Sequence, residues 1–427
     1  MFNIHEAGQI AKERFLPSLT HSDFRFMWLG HVAGESASWA LGAAEVWLIF
    51  TLAKDNPSSW VGLMLLAAML PWFVVPVIVG YLADRFVRRN ILIWAYGISL
   101  FHALILTLLV FTGTIQVWHI VILAFVNGSA RATHMGGIES LAANLVPSTE
   151  LANAYSLINA GYYATRLIGP GIIAPLIGVV DFGWIFLIAV GLYTVGLGLT
   201  IQIRTVSTGV IEARRNIFYN VFSGFRYVYR HRVLRGIMLL VLFHCALVMS
   251  FESLLPAISN DRFGAGGGGV AYLHMMVGLG SLLVSVGVAP LRGEGLRGRL
   301  LLVMGVTSAV GNIALGIAPT MSLALLSAAL IGVSHTGFMT MATIMIQTTT
   351  PDGLRGRVTS IYLIHAGGIM SFAYLTNGAL ADSFDPKWIL AIGGLAFLGV
   401  IATSLFTSTP RRLYLRGIPS PAGAISN

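Results

Sequence analysis

The chain has 427 residues, of which 56% are hydrophobic and only 10% are charged. A typical soluble domain carries about 25% charged residues, so this composition excludes an ordinary soluble enzyme and indicates a protein that lies in a lipid bilayer. The net charge of +9 would suit a nucleic-acid-binding protein, but the basic residues cluster between apolar segments, which favours a topology signal and no nucleic-acid partner.

Twelve long apolar segments follow one another along the chain, and each is predicted to be a transmembrane helix, because about 20 apolar residues cross a hydrocarbon core about 30 Å thick. The connecting loops are short, which leaves no soluble part large enough to house an enzyme. The first six predicted spans are Phe26–Leu52, Ser59–Leu82, Ile91–Thr112, Trp118–Ala143, Ala152–Gly178 and Trp184–Ile203. The last six are Val233–Ile258, Gly269–Leu291, Leu300–Ala318, Ser322–Thr348, Val358–Leu380 and Trp388–Phe406.

Most of the 26 Lys and Arg residues lie in the terminal segments and in the even-numbered connections. Only Lys54, Arg262 and Lys387 lie on the opposite side, and Arg131 and Arg166 lie inside spans. Cytoplasmic loops of membrane proteins are enriched in Lys and Arg, so both termini are predicted to be cytoplasmic. The same basic connections would also suit contact with anionic lipids.

The longest polar interval separates the sixth span from the seventh. It predicts an N-terminal six-helix bundle at 1–204, a cytoplasmic linker at 205–232 and a C-terminal six-helix bundle with a short cytoplasmic tail at 233–427. Apolar residues at 218, 221, 222, 225 and 229 predict that the linker contains an amphipathic helix on the inner leaflet. A partner-binding helix of the calmodulin-target type is the alternative interpretation.

Loop features recur in the two halves at nearly equal offsets. Gly80 and an Arg pair follow the second span, while Gly287, Arg297 and Arg299 follow the eighth, and Pro147 and Pro351 occupy matching places after the fourth and tenth. This recurrence indicates duplication of a six-helix unit. Duplicated halves place a substrate site at their interface near the middle of the membrane.

The loop after the second span, residues 80–89, reads GYLADRFVRR. It resembles the signature loop of the major facilitator superfamily, G-x-L-a-D-r-x-G-R-[KR], and departs from it at Val87, where the family usually has Gly. The helix number, orientation and central linker fit the same family. The resemblance implies an all-α membrane protein with twelve transmembrane helices in two six-helix bundles.

The acid in this loop, Asp84, is predicted to lie near the start of the eleventh span, where a helix N-terminus stabilises a carboxylate. In the family this contact is a latch that closes the cytoplasmic side. The simpler interpretation is that Asp84 only balances a basic loop. The residues of the predicted latch are Gly80, Asp84, Arg85, Arg88, Arg89 and Arg357.

Three further stretches, residues 150–156, 166–170 and 353–358, resemble the enterobactin-exporter-like branch of that family. Gly169-Pro170-Gly171 also resembles part of the antiporter motif of drug exporters, although Ile173 and Ala174 stand where that motif has glycines. A kinked, closely packed helix is the structural alternative.

The resemblance implies a secondary active transporter that exports an amphipathic organic compound, drug-like or siderophore-like, by alternating access and proton antiport. It would act as a monomer in the bacterial inner membrane. Its partners would be a small-molecule substrate, protons and the lipid bilayer, and it would need no cofactor beyond the proton gradient.

Ionisable side chains inside spans cost about 2.5–3.5 kcal/mol each on insertion scales, so they mark pathways or partners. Glu35 is expected near the middle of the membrane, and a Glu–Arg contact that breaks as the cavity reopens would change its proton affinity between states. The candidates for proton coupling or substrate contact are Glu35, Glu45, Arg131, Glu139, Tyr163, Arg166 and Glu252. The alternative for the two arginines is a structural pairing with Glu35 or Glu139.

The remaining histidines of the spans are interpreted as packing residues, namely His244, His274, His335 and His365. No metal site is predicted, because no pair at i, i+4 with a third ligand is recognised. Uptake or uncoupled diffusion of a nutrient, metal or lipid is the rival within transport. A lipid-modifying membrane enzyme is the distant rival, but the clustered catalytic residues that it would need are not evident.

Overall fold

The computed structural model describes residues 16–75, 78–79, 85–205, 217–288, 293–351 and 354–416. Nearly all of these residues are helical. The β-structure within them is one isolated bridge between Ile177 and Val180.

Six long helices precede the linker. They are α1 (Ser22–Leu52), α2 (Pro57–Met69, continued by a 3-10 turn at Leu70–Phe73), α3 (Arg88–Phe111), α4 (Val117–Leu145), α5 (Leu151–Ile173) and α6 (Phe182–Ile201). Short 3-10 turns at Pro17–Thr20 and Ser148–Glu150 lead into α1 and α5.

The second part begins with α7 (Ile217–Arg230) and α8 (Arg232–Leu247). Short turns of mixed pitch extend α8, namely a 3-10 turn at Met249–Leu254, an α turn at Leu255–Ala257 and a π turn at Ile258–Arg262. The helices that follow are α9 (Gly266–Val288), α10 (Glu294–Ile317), α11 (Met321–Thr349), α12 (Arg355–Leu363), a π turn at Ile364–Gly368, α13 (Ile369–Ala381), α14 (Pro386–Phe406) and α15 (Ser408–Arg416).

Every predicted span falls on one of these helical segments, although the ends of the second and eighth spans lie outside the described residues. Within the described residues, eight helical segments are long and apolar enough to cross a membrane, namely Arg88–Phe111, Phe182–Ile201, Arg232–Arg262, Gly266–Ser285, Gly295–Ile317, Met321–Thr349, Arg355–Ala381 and Pro386–Phe406. Three helices outside this set, α1, α4 and α5, carry the ionisable side chains that the sequence singles out, except Glu252, which lies in Arg232–Arg262. The number of twelve crossings therefore stays a prediction.

The helices pack in two groups that meet along two lines. In the first group, α1 packs on α5 and α6, α3 packs on α4 and α6, and α2 packs on α4. In the second group, α11 packs on α9 and α10, and α10 packs on α14. The lines between the groups are the contact of α5 with α9 and the contact of α2 with α13.

The buried apolar residues show how the two groups are joined. At the end that carries the α1–α2 connection, residues of both groups form one continuous cluster, which includes Ala44, Ile173, Leu255 and Val270. At the opposite end, the described residues form separate clusters, one with Phe24, Leu92 and Ile158 in the first group and another with Met238, Phe338 and Ile401 in the second. The groups therefore share a core at one end and have their own cores at the other.

The α2–α13 line depends on backbone approach and on one carboxylate. A Cβ atom on Gly62 would lie 2.5 Å from the carbonyl oxygen of Tyr374, and one on Gly378 would lie 2.2 Å from that of Ser58. Asp382, just after α13, accepts hydrogen bonds at 2.9 Å from the backbone N–H groups of Ser58 and Ser59. It also accepts one at 2.5 Å from the Ser59 hydroxyl. A carboxylate from the second group thus caps the first turn of α2 in the first group.

Backbone approach also fixes the packing inside the second group, where α9 and α11 cross. A Cβ atom on Gly332 would lie 2.0 Å from the carbonyl oxygen of Val277, and one on Gly280 would lie 2.0 Å from that of Ala329. Small residues let transmembrane helices approach in this way.

We expect Gly332→Ala to lower the free energy of unfolding by about 1–3 kcal/mol, as overpacking of a tight core does. The loss should appear as a lower melting temperature of the purified protein in detergent. Gly399→Ala in α14 is the matched control, because nothing lies within 4 Å of a Cβ atom there and the gain in helix propensity is the same. Equal melting temperatures for the two variants would contradict the close α9–α11 contact.

Candidate functional site

The candidate site is built around the middle of α1, which lies against α5 and α6. Residue 35 and residue 39 are four apart on this helix and therefore lie on one face. That face meets Arg131 and His134 of α4 and Arg166 of α5. Ionisable groups from three helices are thereby brought together within the described part of the chain.

The first ion pair joins Glu35 and Arg131. Nη2 of Arg131 lies 3.2 Å from Oε2 of Glu35, whose side chain is only 3% exposed. Nδ1 of His134 faces the other carboxylate oxygen at 3.3 Å. Since an unpaired charge is very unfavourable in this environment, the guanidinium group is what keeps the carboxylate ionised. The pairing of Arg131 with Glu35 is one of the alternatives that the sequence leaves open.

The second ion pair crosses between the two groups of helices. Arg166 of α5 donates a short hydrogen bond to Glu252, which lies on the 3-10 turn after α8. Glu252 also accepts a hydrogen bond at 3.0 Å from the Tyr374 hydroxyl of α13. A Cβ atom on Gly278 of α9 would lie 2.5 Å from the Arg166 carbonyl group. Arg166 therefore lies on the α5–α9 line, where the backbones of the two groups come close together.

A single indole ring connects the two pairs. The guanidinium carbon of Arg131 lies 5.2 Å from the ring centroid of Trp39, and that of Arg166 lies 4.7 Å from it. Both distances are within the range of cation–π attraction. The ring of Tyr162 meets Trp39 edge-on at 6.1 Å, and Tyr163 meets Tyr162 at 5.5 Å. Tyr163 thus lies two rings away from the charges.

Two other candidate acids lie apart from this cluster. Glu45 forms a separate buried pair with His102 of α3, whose Nε2 is 3.1 Å from Oε1 of Glu45. The Glu139 side chain is exposed, and only its backbone carbonyl accepts a hydrogen bond, from Tyr155 at 3.1 Å. The described residues therefore give Glu45 its own partner and leave Glu139 outside the ion pairs of α1.

Two of the six residues of the predicted latch, Gly80 and Asp84, lie outside the described residues. Of the others, Arg88 donates to the Ser140 carbonyl and Arg89 to the Ile203 carbonyl, each at 2.7 Å. Arg357 donates to the Ser223 hydroxyl at 3.2 Å, and Arg85 lies in the turn before α3 and is also engaged. The contacts of Arg88, Arg89 and Arg357 each stay within one group of helices, so the latch remains a prediction.

Three histidines of the second part behave as the packing interpretation expects. His244 contacts the Ser308 hydroxyl at 3.0 Å and stacks on Phe338, and His335 lies edge-on to His244. Nε2 of His365 lies 2.8 Å from the Tyr229 hydroxyl. His274 is also buried, and Nε2 of both His274 and His335 lacks a hydrogen-bond partner among the described residues.

Sequence reasoning missed the histidines of the first part. His31 and Glu35 are separated by four residues on α1, so the i, i+4 pair with a third group was present in the sequence, and α4 supplies His134. The three residues place a ligand atom each within 4.8 Å of one another. A divalent ion there would sit beside the Arg131 guanidinium group, which already neutralises the carboxylate. We therefore assign no metal to this cluster.

Comparison with known proteins agrees with this architecture. A family model described as transmembrane secretion effector matches residues 14–415. Macrolide efflux protein A of Streptococcus pyogenes is 24% identical over 243 residues, or 56% of this chain and 59% of that protein. The match therefore spans less than two thirds of that relative. The multidrug efflux pump Tap of Mycolicibacterium fortuitum is 23% identical over 380 residues, or 86% of this chain and 88% of that protein.

Solved structures of transporters share the fold. The nucleoside transporter NupG superposes with a TM-score of 0.67 at 12% identity, over 90% of this chain and 97% of that chain. A D-xylose-proton symporter superposes with a TM-score of 0.65 at 15% identity, over 90% of this chain and 97% of that chain. At these identities the similarity shows the fold alone. The chain therefore belongs to the transmembrane secretion effector family, within the major facilitator superfamily that the loop at residues 80–89 predicts.

Proposed function

We propose that this protein exports an amphipathic, drug-like organic compound across the bacterial inner membrane by alternating access, in exchange for protons. The efflux activity named for macrolide efflux protein A and for the pump Tap supports this direction and substrate class. A siderophore-like substrate fits the same amphipathic description. Both termini would be cytoplasmic and the transporting unit would be a monomer.

The observation that carries the proposal is the division of the core. Within the described residues, the buried apolar cluster that joins helices up to residue 204 to helices from residue 233 lies at the α1–α2 end. Under the predicted topology this end faces the outside. The two groups would act as bundles that are closed outside and separate towards the cytoplasm, which is the arrangement that admits a substrate from within.

The buried ion pairs supply a means of coupling. When Glu35 binds a proton, it loses its charge and no longer holds Arg131. Arg131 and Arg166 lie on the same indole ring, so a freed Arg131 changes the field at Arg166, whose partner Glu252 belongs to the other bundle. Protonation in the first bundle would thus weaken the contact that holds the bundles together.

We expect Glu35→Gln to abolish export driven by a pH gradient and to preserve exchange without one. If one proton is exchanged per substrate, a gradient of one pH unit, about 1.4 kcal/mol, supports an approximately tenfold substrate gradient. The variant should give none, because its amide cannot ionise. The measurement is accumulation of a radiolabelled macrolide in proteoliposomes with an imposed pH gradient, beside equilibrium exchange in the same vesicles.

Glu139→Gln is the control, since Glu139 is an acid on α4 whose side chain is exposed and lies outside the ion pairs. It should accumulate substrate as the unchanged protein does. Normal accumulation by Glu35→Gln would rule out proton coupling at this carboxylate.

The outer clamp, formed by Asp382 with Ser58 and Ser59, should bias the protein towards the state closed outside. We expect Asp382→Asn to weaken a carboxylate–helix contact by about 1–2 kcal/mol, which changes the ratio of the two states about 5–30-fold. Spin labels at Lys54 and Leu323 in a Cys245→Ala background should then report a larger share of long distances. The protein has one cysteine, so this background leaves only the introduced labels.

Asp385→Asn is the matched control for the clamp. Its carboxylate accepts from the backbone N–H of Lys387 and pairs with the Lys387 ammonium, all within the same turn before α14. Labels at Lys54 and Leu323, one in each group of helices, avoid that ammonium and are used for both variants. An unchanged distance distribution for Asp382→Asn would show that the clamp does not set the conformational balance.

A further inference from the structure

The hydrogen-bond donors and acceptors around His134 point to a proton-binding site that the proposed transport does not by itself specify. We infer that the exchanged proton is held jointly by His134 and Glu35, between Nδ1 of the imidazole and Oε1 of the carboxylate. This inference rests on the proposed proton antiport, and it names the histidine as the second member of the proton-binding site.

The hydrogen bonds of Tyr96 determine where the protons lie. Its hydroxyl oxygen is 2.9 Å from the Gly30 carbonyl and 2.7 Å from Nε2 of His134. A phenol has one proton and a carbonyl only accepts. When Tyr96 donates to Gly30, it must accept its second hydrogen bond from Nε2–H of His134.

A neutral imidazole carries one N–H, so this arrangement leaves Nδ1 without a proton. Nδ1 then presents a lone pair to Oε1 of Glu35 at 3.3 Å. Two acceptors that face each other in a buried site repel. One added proton converts the same geometry into a charge-assisted hydrogen bond, so the pair is shaped to bind a proton.

The groups around the pair come from five helices and fit a single positive charge. They are His31 on α1, which stacks on His134 at 5.4 Å, Arg131 on α4, Tyr96 on α3, Tyr162 on α5 and Tyr193 on α6. Arg131 already neutralises Glu35. A bound proton therefore gives a net charge of +1, whereas a divalent ion would give +2 in the same buried volume.

A small cavity lies beside Glu35 and His134 and would give a proton access to them. It has a volume of about 10 Å³ and is lined by Glu35, Ser38, Tyr96, Ser99, His134 and Tyr193, among others. This is roughly the space for one water molecule, and the lining offers several polar partners for it. The cavity lies inside the first group of helices, since its lining residues belong to α1, α3, α4 and α6 and include neither Arg166 nor Glu252.

Two positions of one proton would then have different effects on the transporter. With the proton on His134, Glu35 remains ionised and keeps Arg131. With the proton on Glu35, the guanidinium group is released. Transfer of the proton from Nδ1 of His134 to Oε1 of Glu35 would therefore release Arg131 and change its contact with Trp39.

The test is a pH titration of the purified protein, followed by infrared difference spectroscopy with ring-labelled histidine, which needs no substrate. In the unchanged protein, a histidine band and a carboxylate band should change together at one midpoint. Glu35→Gln identifies the carboxylate band by its loss. His134→Asn replaces Nδ1 by an amide N–H that donates without titrating, so both bands should disappear.

Tyr96→Phe tests whether the Tyr96 hydroxyl determines which nitrogen of His134 carries the proton, because this variant keeps both His134 and Glu35. Without the phenol oxygen, the neutral imidazole is free to carry its proton on Nδ1, and an added proton at Nε2 finds no acceptor. We expect the joint midpoint to move to lower pH. A midpoint that does not move would overturn the proton count.

A carboxylate band that titrates unchanged in His134→Asn would show that Glu35 holds the proton alone. That result would refute the shared site and would leave proton antiport through Glu35 intact. Antiport itself is judged by the accumulation assay with Glu35→Gln, so the two failures are distinguishable.

Discussion

Every charge inside this protein has to find an opposite charge, because the bilayer offers no water to solvate it. Glu35 is almost fully buried and is held by Arg131, and Arg166 is held by Glu252 on the other group of helices. These pairs are what permit four ionisable residues to occupy the middle of the bundle. Their neutrality is also fragile, since the arrival of one proton removes a partner and obliges the remaining charges to rearrange.

The shared indole ring turns two local pairs into one system. Trp39 attracts both guanidinium groups, yet the two cations on its faces repel each other, so each carboxylate is needed to keep its own arginine in place. The balance between these terms is set by small distances, 4.7 and 5.2 Å from the ring. The proposed export by alternating access would need a link between proton binding in one group of helices and contact between the groups, and we propose that these residues form it.

Much of the fold follows from local sequence. Hydropathy over windows of about 20 residues depends only on neighbouring residues, and each predicted span coincides with a helical segment. Hydropathy does not single out α1, α4 and α5 as apolar segments, because the candidate site residues on these helices are polar. The match of the family model over residues 14–415 confirms the family that the loop motif indicates, but the structure does not test the latch at Asp84.

The sequence predicts which charged residues belong to the site better than it predicts which of them pair with each other. Glu35, Arg131, Arg166 and Glu252 stand out as charges within spans. The choice of Glu252 as the partner of Arg166 depends on how α5 packs against the second group of helices, which no local pattern encodes. The sequence did not single out His134 and Tyr96, because histidine and tyrosine are common in protein cores. Only the distances from His134 to Tyr96 and to Glu35 point to the proposed proton site.

Glu252 lies on a 3-10 turn, and the pitch of the helix changes twice between Met249 and Arg262, from 3-10 to α and from α to π. A helix whose hydrogen-bond register is already broken bends there more readily than along a regular stretch. The pull of Arg166 is therefore applied at the hinge of the seventh membrane segment. A small displacement of the Glu252 carboxylate at this bend would therefore produce a larger displacement at the far end of the helix.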